Sequence, residues 1–196
     1  LWIRFNICHL ANWTFITMAS ELRVDKIIPT TGIPTGGGGG VIQVVQKLFT
    51  TTFTSNVYPY TDITGFEVDI TPKFSTSKIL CFGHISGNGT NNTRALYRLL
   101  RTVSGGSGVQ IGIGNDSIGN RAPCIGTIYT TDGESPVTFG YSVLDSPATT
   151  NSINYKIQIS NGNNTDSSYL NRASNWSNSY AHGAPASSLT LMEISA

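Results

Sequence analysis

Charge is scarce in this sequence. Charged residues fill 12% of its 196 positions, about half the usual share for a soluble domain. Twelve basic and eleven acidic side chains leave a net charge of +1, with no basic stripe of the kind a nucleic-acid binder carries. Cysteine is also sparse. Cys8, Cys81 and Cys124 form no CxxC pair, so neither a disulfide framework nor a zinc site is expected. Cys81 sits in an apolar run and reads as a small buried hydrophobe. Long hydrophobic runs are missing as well. Residues 1–17, LWIRFNICHLANWTFIT, are too short and too polar to span a bilayer, and they lack the apolar core and cleavage site of a signal peptide. No membrane insertion is expected.

The signatures of chemistry are equally thin. His9, His84 and His182 lie far apart, and none has a metal-ligand partner at i+2 or i+4. The run Gly36–Gly40 is followed by Val41-Ile42, where a phosphate loop would need Lys-Ser/Thr, so it reads as a flexible linker. Gly112-Ile113-Gly114 has no βαβ unit around it to make a nucleotide site. Asp132-Gly133-Glu134 and Asp145-Ser146-Pro147 bring carboxylates near turns, from which a glycosidase pair could in principle be assembled. Turn-forming Asx residues are far commoner than catalytic ones. The expectation is therefore no enzyme, no catalytic residue, no metal and no cofactor.

What is present is β structure. Glycine, serine, threonine and asparagine abound, while Leu and Ala are not used at helical spacing. Phe66, Val68 and Ile70 alternate with Glu67 and Asp69; Tyr155, Ile157 and Ile159 alternate with Lys156 and Gln158. Such period-two patterns describe strands with one wet face. Val41–Phe53, the series Val137, Phe139, Tyr141 and Val143, and the closing Ser188–Ile194 read as further strands. Ile79–Ile85 is apolar on both faces and is expected deep in a sheet. Residues 95–101 fit an exposed strand bearing Arg98 and Arg101, or a helical turn. Turns are expected at Gly87-Asn88-Gly89, Gly105-Gly106, Asp132-Gly133 and Asn161-Gly162. The fold class is all-β, an antiparallel β-sandwich or jelly roll preceded by a short N-terminal segment and a Gly-rich linker. Ile79, Phe82, Tyr141, Ile157 and Leu191 are the expected core.

The boundaries follow from composition. Met18-Ala-Ser-Glu looks like a natural start, so 1–17 reads as a non-functional upstream extension. Residues 18–40 form an N-terminal attachment segment with its glycine linker, and 41–196 a β-sandwich head. Within the head, the stretch 161–186, NGNNTDSSYLNRASNWSNSYAHGAPA, sets Tyr169, Trp176, Tyr180 and His182 among small polar residues. Flat aromatics beside short amides suit the apolar face and hydroxyls of a sugar ring. The same aromatics could instead pack down on the sandwich or on a neighbouring subunit.

Several blocks carry a resemblance. ELRVDKI before the glycine run resembles the N-terminal attachment segments of tail-fibre-like proteins from cyanophages and other marine tailed phages. ITPKFSTSKILCFGHISG, IGIGNDSIGNRA, YSVLDSPATTNSINYKIQ, YLNRAS and the closing SSLTLMEISA, in that order, resemble the C-terminal domain common in those proteins. The resemblance implies a virion structural protein, usually a homotrimer, joined to other virion proteins through its N-terminal segment and facing a host surface glycan with its outer domain. It implies a product made in the host cytoplasm and carried on the particle exterior. The shaft that many fibres place between anchor and head is missing here. A capsid decoration or cement protein without receptor binding is the alternative.

Overall fold

The computed structural model describes residues 40–90, 92–114, 119, 121–162, 165–180 and 182–195. The readings of 1–17, of 18–39, and of Cys8 and His9 fall outside the described residues. Every regular element described is a strand: β1 (Val41–Phe49), β2 (Phe53–Ser55), β3 (Thr61–Ile70), β4 (Lys78–Gly89), β5 (Thr93–Val103), β6 (Val109–Ile111), β7 (Gly126–Thr130), β8 (Val137–Asp145), β9 (Ile153–Asn161), β10 (Ser168–Leu170) and β11 (Ser187–Ile194).

All the pairings are antiparallel. In one sheet, β4 is flanked on one edge by β8 and on the other by β11 and β10 in succession, with β1 and β2 outside these. That makes four rows: β8, β4, β11 with β10, and β1 with β2. The second sheet also has four rows: β3, β9, β5, and β7 with β6. Along the chain the rows alternate between sheets, except for the β5–β7 step. This is jelly-roll order.

Alternation decides which side of each strand is inside. Phe66, Val68 and Ile70 of β3 and Tyr155, Ile157 and Ile159 of β9 are buried, and they meet Ile79, Cys81, Ile85, Leu189 and Leu191 from the β4 sheet in one cluster. Fully burying such a side chain contributes about 1.5–3 kcal/mol. Phe49 and Phe66 stack at 5.0 Å between centroids near one edge.

Four expectations need correcting. Val41–Phe53 is not one strand: it breaks after Phe49, because its partner row breaks at the same level. Gly87 and Gly89 are not a turn but the end of β4. A Cβ at Gly87 would lie 2.0 Å from the Tyr97 hydroxyl, so close packing demands that glycine. The reversal itself comes between Gly89 and Thr93, where Asn92 takes φ 60°. Ile79–Ile85 is covered on one face only. Phe82 is half-buried and points outward with Leu80 and Met192 into a shallow depression of about 560 Å³, because no further layer among the described residues covers that part of the face. Finally, Arg101 is of opposite parity to Arg94 and Arg98, and it turns inward to pair with Asp145 at 2.8 Å.

The antiparallel rows sort the connections to two ends. The β2–β3, β4–β5, β7–β8 and β9–β10 links gather at one end, called the apex. At the opposite end Gly40 O accepts a hydrogen bond from Ser195 N at 2.9 Å, so the head is entered and left at its base.

Candidate functional site

The row formed by β10 and β11 is interrupted by an excursion, 172–186, and a buried knot holds its two ends together. Asn171 takes a left-handed φ of 56°, a conformation that asparagine tolerates better than most residues. Its Nδ2 donates to Phe49 O at 2.7 Å and Thr51 O at 3.0 Å, bridging the break between β1 and β2. Its Oδ1 accepts from Ser187 Oγ at 2.6 Å, and Ser187 Oγ accepts from Ser86 N at 3.0 Å. One side chain thus closes both broken rows, and the excursion is launched from rigid sheet.

Arg172 follows directly and organises the aromatics. Its guanidinium lies 4.9 Å from the Tyr169 ring centroid and 5.7 Å from that of Trp176, within cation–π reach of both. Its Nε donates to Ala173 O at 3.0 Å, and a terminal nitrogen donates to Ser174 O at 3.2 Å. Burial alone would raise the Tyr169 hydroxyl. Hydrogen bonds with Ser174, Thr90 and Ser167, together with the Arg172 charge, bring it below its ordinary value instead. Trp176 keeps an exposed face, and Tyr180 is fully exposed.

The outer part of the excursion is tied to the β7–β8 turn through Glu134. Asn175 Nδ2 donates to Glu134 Oε1 at 2.8 Å, and Asn175 N donates to Gly133 O at 3.0 Å. His182 Nε2 lies 2.8 Å from Glu134 Oε2. The hydrogen bond to Glu134 and a backbone bond at Ser177 raise the imidazole above its ordinary value, while hydrogen bonds from Asn175 and His182 hold the Glu134 carboxyl below its own.

The four sequence-derived residues therefore divide. Tyr169 and Trp176 are brought together by Arg172, His182 is turned into the Glu134 tether with a side chain only 3% exposed, and Tyr180 stands apart in solvent. The sequence reading missed Arg172 and Asn171, and took Glu134 only as a carboxylate near a turn. Of these, Arg172 had a signal, lying three and four residues from Tyr169 and Trp176.

Ser177 Oγ lies 3.2 Å from His182 Nδ1, so serine, histidine and carboxylate follow one another as in a hydrolytic relay. Nδ1 also lies 3.1 Å from both the backbone N and the backbone O of Ser177, however, accepting from the N–H when unprotonated and donating to the carbonyl when protonated, and the imidazole serves as the clasp of a turn. Nor do Glu134 and Asp145 form a glycosidase pair. Glu134 precedes the nine-residue β8 and Asp145 is its last residue, so the two are separated by the strand's length, roughly 27 Å at strand rise, whereas such pairs are about 5–10 Å apart. Among the described residues no three His, Cys, Asp or Glu converge as a metal site.

No family model matches the chain, and no curated protein matches it. Among solved structures, the chain is similar to one in the structure of the Gx strain of infectious bursal disease virus, at 13% identity and a TM-score of 0.36. The match covers 86% of this chain and 45% of that one, so the present chain spans less than half of that neighbour's length.

Proposed function

We propose that this chain is a virion structural protein, a tail-fibre or spike component whose apex meets a host surface glycan. One observation carries the reading: the head is polar end to end. Gly40 and Ser195 meet at the base, while the apex bears Trp176 and Tyr180 exposed among Asn and Ser. A rigid sandwich that holds its aromatic loops away from its attachment end is suited to adhesion. Trp176 offers a ring face for stacking on a sugar, steadied from behind by Arg172.

The test is Trp176→Ala, with melting and cell adsorption measured on the same protein. Loss of a stacked anchor costs about 2 kcal/mol or more, so adsorption should fall at least tenfold at unchanged melting temperature. A folded variant that adsorbs at wild-type strength removes this loop from the contact. A second reading, a capsid decoration protein, is favoured by the apolar outer face of the β4 sheet. Immunogold labelling of particles separates the two, since one places the chain on the tail and the other on the capsid shell.

A further inference from the structure

The register of the β4 sheet places the excursion 172–186 as an insertion within one strand. β10 and β11 both run antiparallel to β4, which is itself unbroken over Lys78–Gly89. Leu170 faces Gly87, and Ser188 faces His84. Between those partners lie two β4 residues, Ser86 and Ile85. With 172–186 set aside, two residues, Asn171 and Ser187, remain to oppose them. No gap and no extra residue is left. The pleat agrees, since successive strand residues face opposite sides. Read through the seam, Leu170, Ser187 and Leu189 fall on inward positions, and all three are buried. Asn171 and Ser188 fall on outward ones, and Ser188 meets His84 there at 2.9 Å.

The hydrogen bonds at the seam carry the same mark. Asn171 N donates to Ser86 O at 2.8 Å, as it would in a continuous strand. The return bond from Ser86 N goes to Ser187 Oγ at 3.0 Å, where a continuous strand would offer Asn171 O. A hydroxyl thus fills the place of a carbonyl that the chain carries away as it leaves the sheet. In the neighbouring row, residues 50–52 stand opposite Asn171 alone, and the Asn171 amide spans that bulge. No described residue of 172–186 joins the interior cluster. The insert meets the head at the apex, through Tyr169 and through Gly133 and Glu134 of the β7–β8 turn.

We propose that 172–186 is a recognition cassette spliced into a continuous strand: it carries the contact with the host surface, and the head folds without it. What the cassette binds rests on the glycan reading; its separability does not. Closing a loop of this length costs entropy, and its exposed Trp176 and Tyr180 add nothing to the core. Recognition accounts for such a loop, since rigid scaffolds carry their binding residues on loops. Asn171, Ser187 and β4 fix its two ends, so a different sequence between them changes what is bound and leaves the sandwich as it is.

The experiment deletes the fifteen residues 172–186 from the full chain, joining Asn171 to Ser187. Two control deletions, 172–185 and 172–187, miss the seam by one residue. Melting temperature and adsorption to host cells, native or periodate-oxidised, are measured on each. The fifteen-residue deletion should melt cooperatively within about 5 °C of the wild-type chain. Its adsorption should fall about tenfold or more. The controls force a bulge or a one-residue slip that turns inward side chains out, and they should melt lower by about a further 5 °C or more. A fifteen-residue deletion that does not fold, or three deletions of equal stability, overturns the splice. A folded deletion that adsorbs at wild-type strength overturns the recognition role. Equal adsorption of the wild-type chain to native and oxidised cells, with the deletion still inactive, supports the cassette and overturns the glycan reading.

Discussion

Tyr97 is fully buried, yet its hydroxyl crosses from the β5 sheet to donate to Tyr169 O in the other sheet at 2.9 Å. Burial pushes its ionisation far up, so the hydroxyl keeps the proton it donates at any physiological pH. Removing that donor breaks the bond between the sheets, and Tyr97→Phe should destabilise the head by about 1–3 kcal/mol. Ile157, in the same interior, has only apolar neighbours to lose. Truncating it to Ala should cost about 2–5 kcal/mol, and a change below about 0.5 kcal/mol in denaturant melts would place it outside the core. At the base, Asp145 shows how a buried carboxylate is kept. It accepts two bonds from Arg101 at 2.8 and 3.0 Å, one from Tyr155 at 2.7 Å and one from Ser146 N at 2.9 Å. Asp145→Asn should lower stability by about 1–3 kcal/mol, measurable as a shift of several degrees in melting temperature.

Among the elements, the excursion 172–186 is the one whose anchoring depends on pH. The His182 imidazole is raised by its bonds to Glu134 and Ser177, so its contribution is fully present below the ordinary value of 6.5 and is lost as pH rises through the raised value. The Glu134 carboxyl is lowered, so its contribution holds above the ordinary value of 4.5 and is lost as pH falls through the lowered one. The tether is therefore tightest between these two ordinary values and loosens above neutrality. Trp176 fluorescence, or proteolysis within 172–186, should change with a midpoint above 6.5, and Glu134→Gln should lower that midpoint. A flat profile from pH 5 to 8 in the wild-type protein rules the switch out. Nothing in the sequence announced this tether, because its partners are 48 residues apart and only the closing of β8 against β4 brings the turn to the loop. Period-two alternation made β3, β9 and β11 legible at once, since one wet face is a local property. Phe82 was not legible: an apolar residue on an uncovered face looks the same as one in the core. Gly87 misled for a related reason, since a glycine required by a tyrosine from another sheet has the same local signature as one required by a turn. Arg101 could have been placed, since strand parity separates it from Arg94 and Arg98.

For the whole molecule, the outer face of the β4 sheet is the feature that the described residues of a single chain leave uncovered. Its outward positions include Val44, Gln46 and Leu48 on β1, Thr190 and Met192 on β11, Lys78, Leu80, Phe82 and His84 on β4, and Ser142 and Leu144 on β8. Val44, Leu48 and Leu144 are each more than half exposed, and Lys78 is the one formal charge among these positions. Monomers rarely leave contiguous apolar patches larger than a few hundred Å² in water, and an exposed flat sheet without charged guards invites association. In the homotrimer that the resemblance implies, this face is expected against neighbouring copies with the apex outward. A Leu48→Lys, Leu144→Lys protein keeps every buried contact of the sandwich, so its monomer should fold. It should sediment as a monomer at micromolar concentration where the wild-type chain sediments as a trimer. A wild-type chain that is already monomeric under those conditions ends the trimer proposal. A double variant that stays trimeric places the subunit contact on another surface of the head.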